Sequence, residues 1–271
     1  MSSSRKRKID FNTVYHSNNS GDFKIIEYIG GPTELVRIKF LLTGTEKIVT
    51  ESTVACGRVK DNFYPRVCGV GYIGEFEGNI SQGWTYVIYR TWYKMLSRCY
   101  VPSEKGYKYY GAVGVSVDPS WFNFNTFFND VQLLPNYDKK VQFPDKFQLD
   151  KDYIQQNIPK EKRIYSKNTC IWMYIYDNMA LKILANKTNK YVGVDYLDNN
   201  TYRARNLYNR NIGTYTDEIA AANAYNFYYN FNFGNDQLRT IKPLNDVPYM
   251  SAYEFTKYST NNTVEAIKII K

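Results

Sequence analysis

The spacing of apolar side chains changes along this chain, and that change restricts it to a fold that mixes strands and helices. Apolar and polar residues alternate in Leu35–Phe40, as they do in half-buried strands. From Trp84 to Tyr100 the apolar residues recur every third or fourth position, which predicts an amphipathic helix. We therefore predict an α+β protein in which residues 21–82 form a small antiparallel β-barrel of the SH3-like kind.

The length of 271 residues suits two or three compact modules. The chain has no apolar run of about 18 residues and no apolar stretch behind its first basic residues, so we expect neither a membrane span nor a secretory signal. The expected localisation is cytoplasmic. The predicted segments are a flexible basic arm (1–20), the β-barrel (21–82), a central module (83–186), a C-terminal sheet domain (187–242) and a tail (243–271).

The chain carries a net charge of +9, and the excess of basic residues is largest in residues 83–186. A basic balance favours polyanionic partners through counterion release. The 27 tyrosines could stack on bases or could reflect an A+T-rich genome, and we favour codon usage for most of them. The basic arm is either a solvated tail or a phosphate-contacting segment.

Residues 89–178 contain a series of short motifs in a fixed order. They are Tyr89-x-x-Trp92-x-x-Met95-x-x-Arg98-Cys99, Tyr110-Gly111-x-x-Gly114-Val115-x-Val117, Trp121, Phe124-x-x-Phe127, Leu149-Asp150-Lys151-Asp152 and Asn168-x-Cys170-x-Trp172. In this order the region resembles the HNH-type homing endonucleases carried by phages. The resemblance implies a central ββα-metal module in which Asp150 and Asn178 would hold Mg²⁺ and Asn168 would brace the loop.

The chain departs from that family where a histidine is expected to activate water. Lys151 occupies this position, and the only histidine, His16, lies in the polar N-terminal stretch. Imidazole titrates near neutral pH, whereas a lysine beside Asp150 and Asp152 should remain charged. We therefore predict a degenerate HNH-like module whose cleavage is weak or lost. The alternative is a working endonuclease that uses Asp150, Lys151, Asp152 and Asn168 with Mg²⁺.

Residues 190–241 alternate in the manner of strands and end in an alanine-rich helical segment. The motifs are Tyr191-Val192-Gly193-Val194, Tyr202-Arg203-Ala204-Arg205, Gly213-Thr214-Tyr215 and Glu218-Ile219-Ala220-Ala221-x-x-Ala224-Tyr225, followed by Gly234 and Leu238. This segment resembles the ethylene-response-factor type of DNA-binding domain. The resemblance implies a three-stranded antiparallel sheet that packs on one helix and binds double-stranded DNA.

The residues of this segment support the same structure. Asp198-Asn199-Asn200 predicts a hairpin turn, and Thr216 is a suitable N-cap for the helix. Alternation along the second strand puts Ala204 on the helix side and Arg203 and Arg205 on the open side.

We predict that four residues of this domain contact DNA: Arg203, Arg205, Arg210 and Tyr202. Tyr202 stands where the family has tryptophan, and Asp195, Tyr196 and Leu197 stand where the family has arginines in its first strand.

These patterns favour a phage-type double-stranded DNA-binding protein that derives from an HNH homing endonuclease. One alternative is the active metal-dependent endonuclease. A second is a protein-binding or virion-associated component, with residues 21–82 as the surface for its protein partner. None of the three requires a membrane.

Overall fold

The computed structural model describes residues 10–185 and 190–260. These residues form an α+β protein with helices and mainly antiparallel strands, as the sequence predicts. The chain divides into two compact units, the first containing Met1–Tyr137 and Ile154–Cys170 and the second containing Asp138–Tyr153 and Ile171–Lys271. No helix among the described residues is long and apolar enough to cross a bilayer. The division into five segments remains a prediction.

The described elements follow one another in this order along the chain. The strands are β1 Tyr15–Ser17, β2 Gly21–Gly30, β3 Leu35–Phe40, β4 Glu46–Thr50, β5 Ser116–Val117, β6 Phe147–Asp150, β7 Ile164–Tyr165, β8 Ile171–Tyr174, β9 Val194–Leu197, β10 Thr201–Arg205 and β11 Asn211–Tyr215. The α-helices are α1 Glu51–Ala55, α2 Gly83–Tyr100, α3 Phe124–Val131, α4 Tyr137–Gln142, α5 Ile175–Ala185, α6 Glu218–Phe233 and α7 Ala252–Thr256. Short 3-10 helices occupy Tyr107–Tyr109, Gly111–Val113, Pro119–Phe122 and Lys160–Lys162.

The first unit begins with a four-stranded antiparallel sheet in the order β1-β2-β3-β4. Alternate residues of β2 and β3 point into one apolar core, as the period of two predicts. This core contains Phe23, Ile25, Val36, Ile38, Phe40, Val54 and Val59. Part of the predicted basic arm belongs to this sheet, since Tyr15–Ser17 pairs with β2, whereas residues 1–9 lie outside the described residues.

The prediction of a closed β-barrel is wrong for this sheet. β4 ends at Thr50, whose side chain caps α1 by accepting a hydrogen bond from the Thr53 N–H at 3.3 Å. The sequence predicts that residues 67–73 form the last strand of such a barrel, but this segment forms only isolated bridges, such as Val67 with Gly71. Within the described residues no strand joins β4 to β1, so the sheet stays open with two edges.

The helix predicted from Trp84 to Tyr100 is confirmed as α2. One face of α2 is buried, and the indole Nε1–H of Trp92 donates to the backbone oxygen of Trp121 at 2.7 Å. The Phe-rich run forms α3, and Trp121, Phe124 and Phe127 are all fully buried. These aromatic side chains therefore belong to the core.

The second unit contains the antiparallel pair β6 and β8, and α5 follows β8 directly. The register puts Leu149 opposite Trp172 and Asp150 opposite Ile171. All four residues of β8 are buried, which explains their apolar and aromatic character. This pairing fixes where the acidic turn after Asp150 leaves the sheet.

A three-stranded antiparallel sheet in the order β11-β10-β9 packs on α6, as predicted for residues 187–242. Asn199 and Asn200 of the connecting turn have φ of 67° and 57°, a conformation that asparagine tolerates. Gly193 has φ of 69°, and a Cβ on it would lie 2.4 Å from the Tyr225 ring. Ala220, Ala221 and Ala224 are fully buried, so the helix lies close to the sheet.

The chain beyond α6 packs onto the same module as far as residue 260. Phe255 of α7 is fully buried in its core. The side chain of Asn245 accepts a hydrogen bond from the Val192 N–H at 2.6 Å and donates to the Val192 oxygen at 3.0 Å. The described part of the predicted tail, residues 243–260, thus packs against this module through residues such as Asn245 and Phe255. The final part of the tail, including the strand or short helix predicted at 264–270, lies outside the described residues.

Candidate nucleic-acid interface

Strand β10 puts its alternate side chains on opposite faces of the C-terminal sheet. Ala204 is fully buried against α6, whereas the side chains of Arg203 and Arg205 are 39% and 29% exposed. Arg203 lies opposite Asp195 of β9 and Thr214 of β11. The open face of the sheet therefore carries two guanidinium groups at its centre, as the sequence predicted.

Asp195 holds both guanidinium groups in place. Its Oδ2 accepts hydrogen bonds from Nη2 and Nε of Arg203 at 2.8 and 3.2 Å, and its Oδ1 accepts one from Nη2 of Arg205 at 2.5 Å. A carboxylate that receives planar guanidinium donors on both oxygens fixes their orientation. The three charges leave this cluster with a net charge of +1.

Several guanidinium donors remain available after these contacts. Arg203 uses only Nε and Nη2 on Asp195, and each arginine has five N–H donors. Arg205 also donates to Oδ1 of Asn209, which leaves it less capacity than Arg203 has. Arg210 is exposed, and Oδ1 of Asn206 accepts its backbone N–H at 3.0 Å. Arg203 and Arg210 are therefore the best-placed donors for an anion.

Tyr202 does not lie on the face that carries the arginines. It follows the alternation of β10 to the helix side, where it packs partly against the core around α6. Its ring meets that of Tyr196 edge-on, with the centroids 5.6 Å apart. Tyr196 is 57% exposed and offers the more accessible aromatic ring of the pair. Of the four predicted DNA contacts, the structure groups Arg203 with Arg205 and separates Tyr202 from them.

The predicted metal ligand Asp150 forms part of a tight turn. It is only 4% exposed, and its Oδ1 accepts the backbone N–H groups of Asp152 and Tyr153 at 3.0 and 2.8 Å. Burial raises the pKa of this carboxyl, the two backbone hydrogen bonds lower it, and Asp152 and Lys151 act in opposite directions. Asp150 therefore stabilises the chain reversal after β6.

Lys151 is buried and ion-paired. Its side chain is 1% exposed, and Nζ lies 2.5 Å from Oδ1 of Asp152. In this arrangement Lys151 is a hydrogen-bond donor, which is the opposite of what a water-activating base requires.

The other predicted site residues occupy different places. Asn178 is buried on α5 in the same unit as Asp150. Asn168 belongs to the other unit, where it is exposed and its backbone N–H donates to Oγ of Ser166 at 3.3 Å. His16 is on β1 and pairs with Asp22. Over residues 10–185 and 190–260 no three His, Cys, Asp or Glu side chains form a group that could hold a metal ion.

A buried polar cluster lies between α5 and the segment after α6. The carboxylate of Asp177 accepts hydrogen bonds from Oγ1 and N of Thr240 at 2.7 and 2.9 Å. The guanidinium of Arg239 lies over the rings of Tyr176, Tyr229 and Phe233, between 4.1 and 5.0 Å from their centroids. No local pattern predicts this cluster, because its two sides are far apart in the sequence.

Comparisons with known proteins identify no relative of this chain. No protein-family model matches it, and searches of curated proteins and of solved structures return no match.

Proposed function

We propose that this protein binds double-stranded DNA through the open face of its C-terminal sheet. The observation that carries the proposal is the pair Arg203 and Arg205, which Asp195 fixes side by side on an exposed strand. Exposed Arg210 adds a third cation to the same module. Arginines on a sheet face suit the major groove, where a guanidinium contacts either a phosphate or the O6 and N7 atoms of guanine.

Charge at two scales supports a duplex as the ligand. The whole chain has a net charge of +9, which favours association with a nucleic acid whatever its base sequence. The sheet face adds rigid, planar donors whose orientation is fixed before the ligand arrives. Preorganised donors lose less conformational entropy on binding than mobile lysines do.

We further propose that the protein descends from a phage HNH homing endonuclease and has weak or no nuclease activity. The supporting observation is that Lys151, at the position expected for the catalytic histidine, is buried and ion-paired with Asp152. Mg²⁺ would be the cofactor of any residual cleavage, with Asp150 and Asn178 as its protein ligands.

Fluorescence anisotropy with a labelled duplex tests the binding proposal. We expect the double variant Arg203→Ala/Arg205→Ala to bind about tenfold more weakly near physiological salt, because it loses two phosphate contacts. Each lost contact should also make the fall of log K with log salt less steep by about 0.9. The matched control is Lys242→Ala/Lys257→Ala, which removes two exposed cations of the same unit outside the sheet. Equal affinity and equal salt slope in both double variants would overturn the proposal.

A further inference from the structure

We propose that a groove along α2 binds single-stranded nucleic acid, as a site separate from the C-terminal sheet. The groove lies within the first unit and has a volume of about 690 Å³. Residues of α2 line one side of it, and Glu104, Gly106 and Tyr110 line the other. It is a site of its own, so it does not depend on the duplex-binding proposal.

Alternating aromatic and basic side chains form the α2 wall of the groove. Tyr86, Arg90, Tyr93 and Ser97 follow one another at spacings of four, three and four, and Lys94 lies four residues after Arg90, so they share one face of the helix. Tyr86 and Tyr93 are 39% and 46% exposed, although large aromatic side chains are normally buried. This face therefore presents flat rings beside positive charges.

Arg98 adds a fixed cation to the groove. Its guanidinium lies 4.7 Å from the ring centroid of Tyr110 and 5.0 Å from that of Tyr165. Its Nε is buried without a hydrogen-bond partner among the described residues. A buried donor without a partner is costly, and an anion in the groove would supply a favourable charge beside it.

The charges of the groove match a phosphate backbone. Arg90, Lys94 and Arg98 are opposed by a single carboxylate, that of Glu104. Arg90 is held near Tyr86, with its Nη1 donating to the tyrosine hydroxyl at 3.0 Å. The described residues contain no ion pair that would neutralise Arg90 or Lys94.

The exposed rings select a single strand over a duplex. In a duplex each base face is covered by its neighbours, whereas unpaired bases can stack on tyrosine rings while their phosphates contact arginine and lysine. A peptide of acidic residues would use the cations but would leave the rings without a partner. The chemical class that uses both parts of the groove is single-stranded DNA or RNA.

Anisotropy titrations of the full chain with labelled oligo(dT) and oligo(rU) of about 12 nucleotides test the inference. We expect Tyr93→Ala to weaken binding about tenfold, since it removes a stacking surface, and Tyr93→Phe to remain within about twofold of the parent. Arg90→Ala/Lys94→Ala should make the fall of log K with log salt less steep by about 1.4, because each of the two lost phosphate contacts contributes about 0.7. Tighter binding of oligo(dT) would identify DNA as the ligand, and tighter binding of oligo(rU) would identify RNA.

Two control variants distinguish binding in the groove from nonspecific attraction to positive charge and from binding at the C-terminal sheet. Arg58→Ala/Lys60→Ala removes an exposed arginine and an exposed lysine of the same unit, outside the groove, and should leave the affinity for the oligonucleotides unchanged. Arg203→Ala/Arg205→Ala should weaken duplex binding alone, so failure of either proposal can be recognised independently. If Tyr93→Ala binds as the parent does, or if a poly-glutamate peptide competes as well as oligo(dT), the inference is overturned.

Discussion

At the scale of single residues, Asp150 shows how the same carboxylate can serve a fold or a metal. Its pKa is raised, first by burial, although Asp152 N–H and Tyr153 N–H donate to it. A carboxyl whose pKa is higher in the folded than in the unfolded state costs stability once it ionises. That cost is absent below the ordinary pKa near 4 and grows as the pH rises through the elevated folded value.

We therefore expect Asp150→Asn to be at least as stable as the parent at pH 7, because asparagine keeps the Oδ1 acceptor and removes the buried charge. Thermal unfolding between about pH 4 and pH 7 should show a weaker pH dependence in the variant. Added Mg²⁺ should change neither melting temperature. A melting temperature that Mg²⁺ raises only in the parent would instead identify Asp150 as a metal ligand.

The asparagines illustrate which residue roles the sequence could reveal. Asn199 and Asn200 follow from turn chemistry, and their positive φ values confirm the predicted hairpin. The backbone hydrogen bonds of Asn223 and Asn245 could not be predicted, because their partners Met250 and Val192 are distant in the sequence. These contacts show what each asparagine stabilises.

The salt bridge between Asp195 and Arg203 could have been predicted from the sequence. Once the turn at residues 198–200 is assigned, the antiparallel register puts Asp195 directly opposite Arg203. The contact between Asp195 and Arg205 could not be predicted from the sequence, because it depends on the side-chain conformation of each arginine. The strand and the open face predicted for Arg203 and Arg205 were correct, but the carboxylate between the two arginines was not predicted.

At the scale of elements, the start of α6 distinguishes a sequence pattern from a hydrogen bond. Thr216 fits the N-cap pattern, but the N-cap is Asp217, whose Oδ1 accepts the Ala220 N–H at 2.7 Å. The prediction was wrong by one residue because Thr216 instead pairs with Tyr258, its backbone N–H donating to the Tyr258 oxygen at 2.8 Å. A contact with a segment this far away in the sequence cannot be predicted from the residues next to Thr216.

We expect Asp217→Ala to lower the free energy of unfolding by about 1 kcal/mol, because the first turn of α6 loses its side-chain acceptor. Asp217→Asn keeps an acceptor and should cost only a few tenths of a kcal/mol. Urea unfolding followed by circular dichroism measures both variants. If Asp217→Asn lost as much stability as Asp217→Ala, the charge rather than the hydrogen bond would be what stabilises this end.

The N-terminal sheet shows the limit of strand patterns at this scale. Alternation identified β3 correctly, because this strand has one buried face. Closure of a barrel depends on pairing between the first and last strands, and β1 has only three residues. Such pairing is a property of the assembled sheet and cannot be read from any single strand.

At the scale of the whole molecule, the proposals predict binding without cutting. We expect the purified protein to leave plasmid and phage DNA intact in Mg²⁺ or Mn²⁺ under conditions in which it shifts a labelled duplex. The physical reason is that Nζ of Lys151 is buried and donates a hydrogen bond to Oδ1 of Asp152. Gel electrophoresis measures the result. Cleavage that disappears in Asp150→Ala would establish the alternative of a working endonuclease.

The cluster around Arg239 has a consequence for the inheritance of this gene. Tyr176 and Asp177 precede residue 187, whereas Arg239 and Thr240 follow it. Arg239 contacts Tyr176, and Thr240 contacts Asp177. A recombination event that transferred only the codons from residue 187 onward would leave the arginine without one wall of its aromatic enclosure and the aspartate without its donors. A hybrid gene whose junction lies upstream of α5 would keep the two halves of the cluster together.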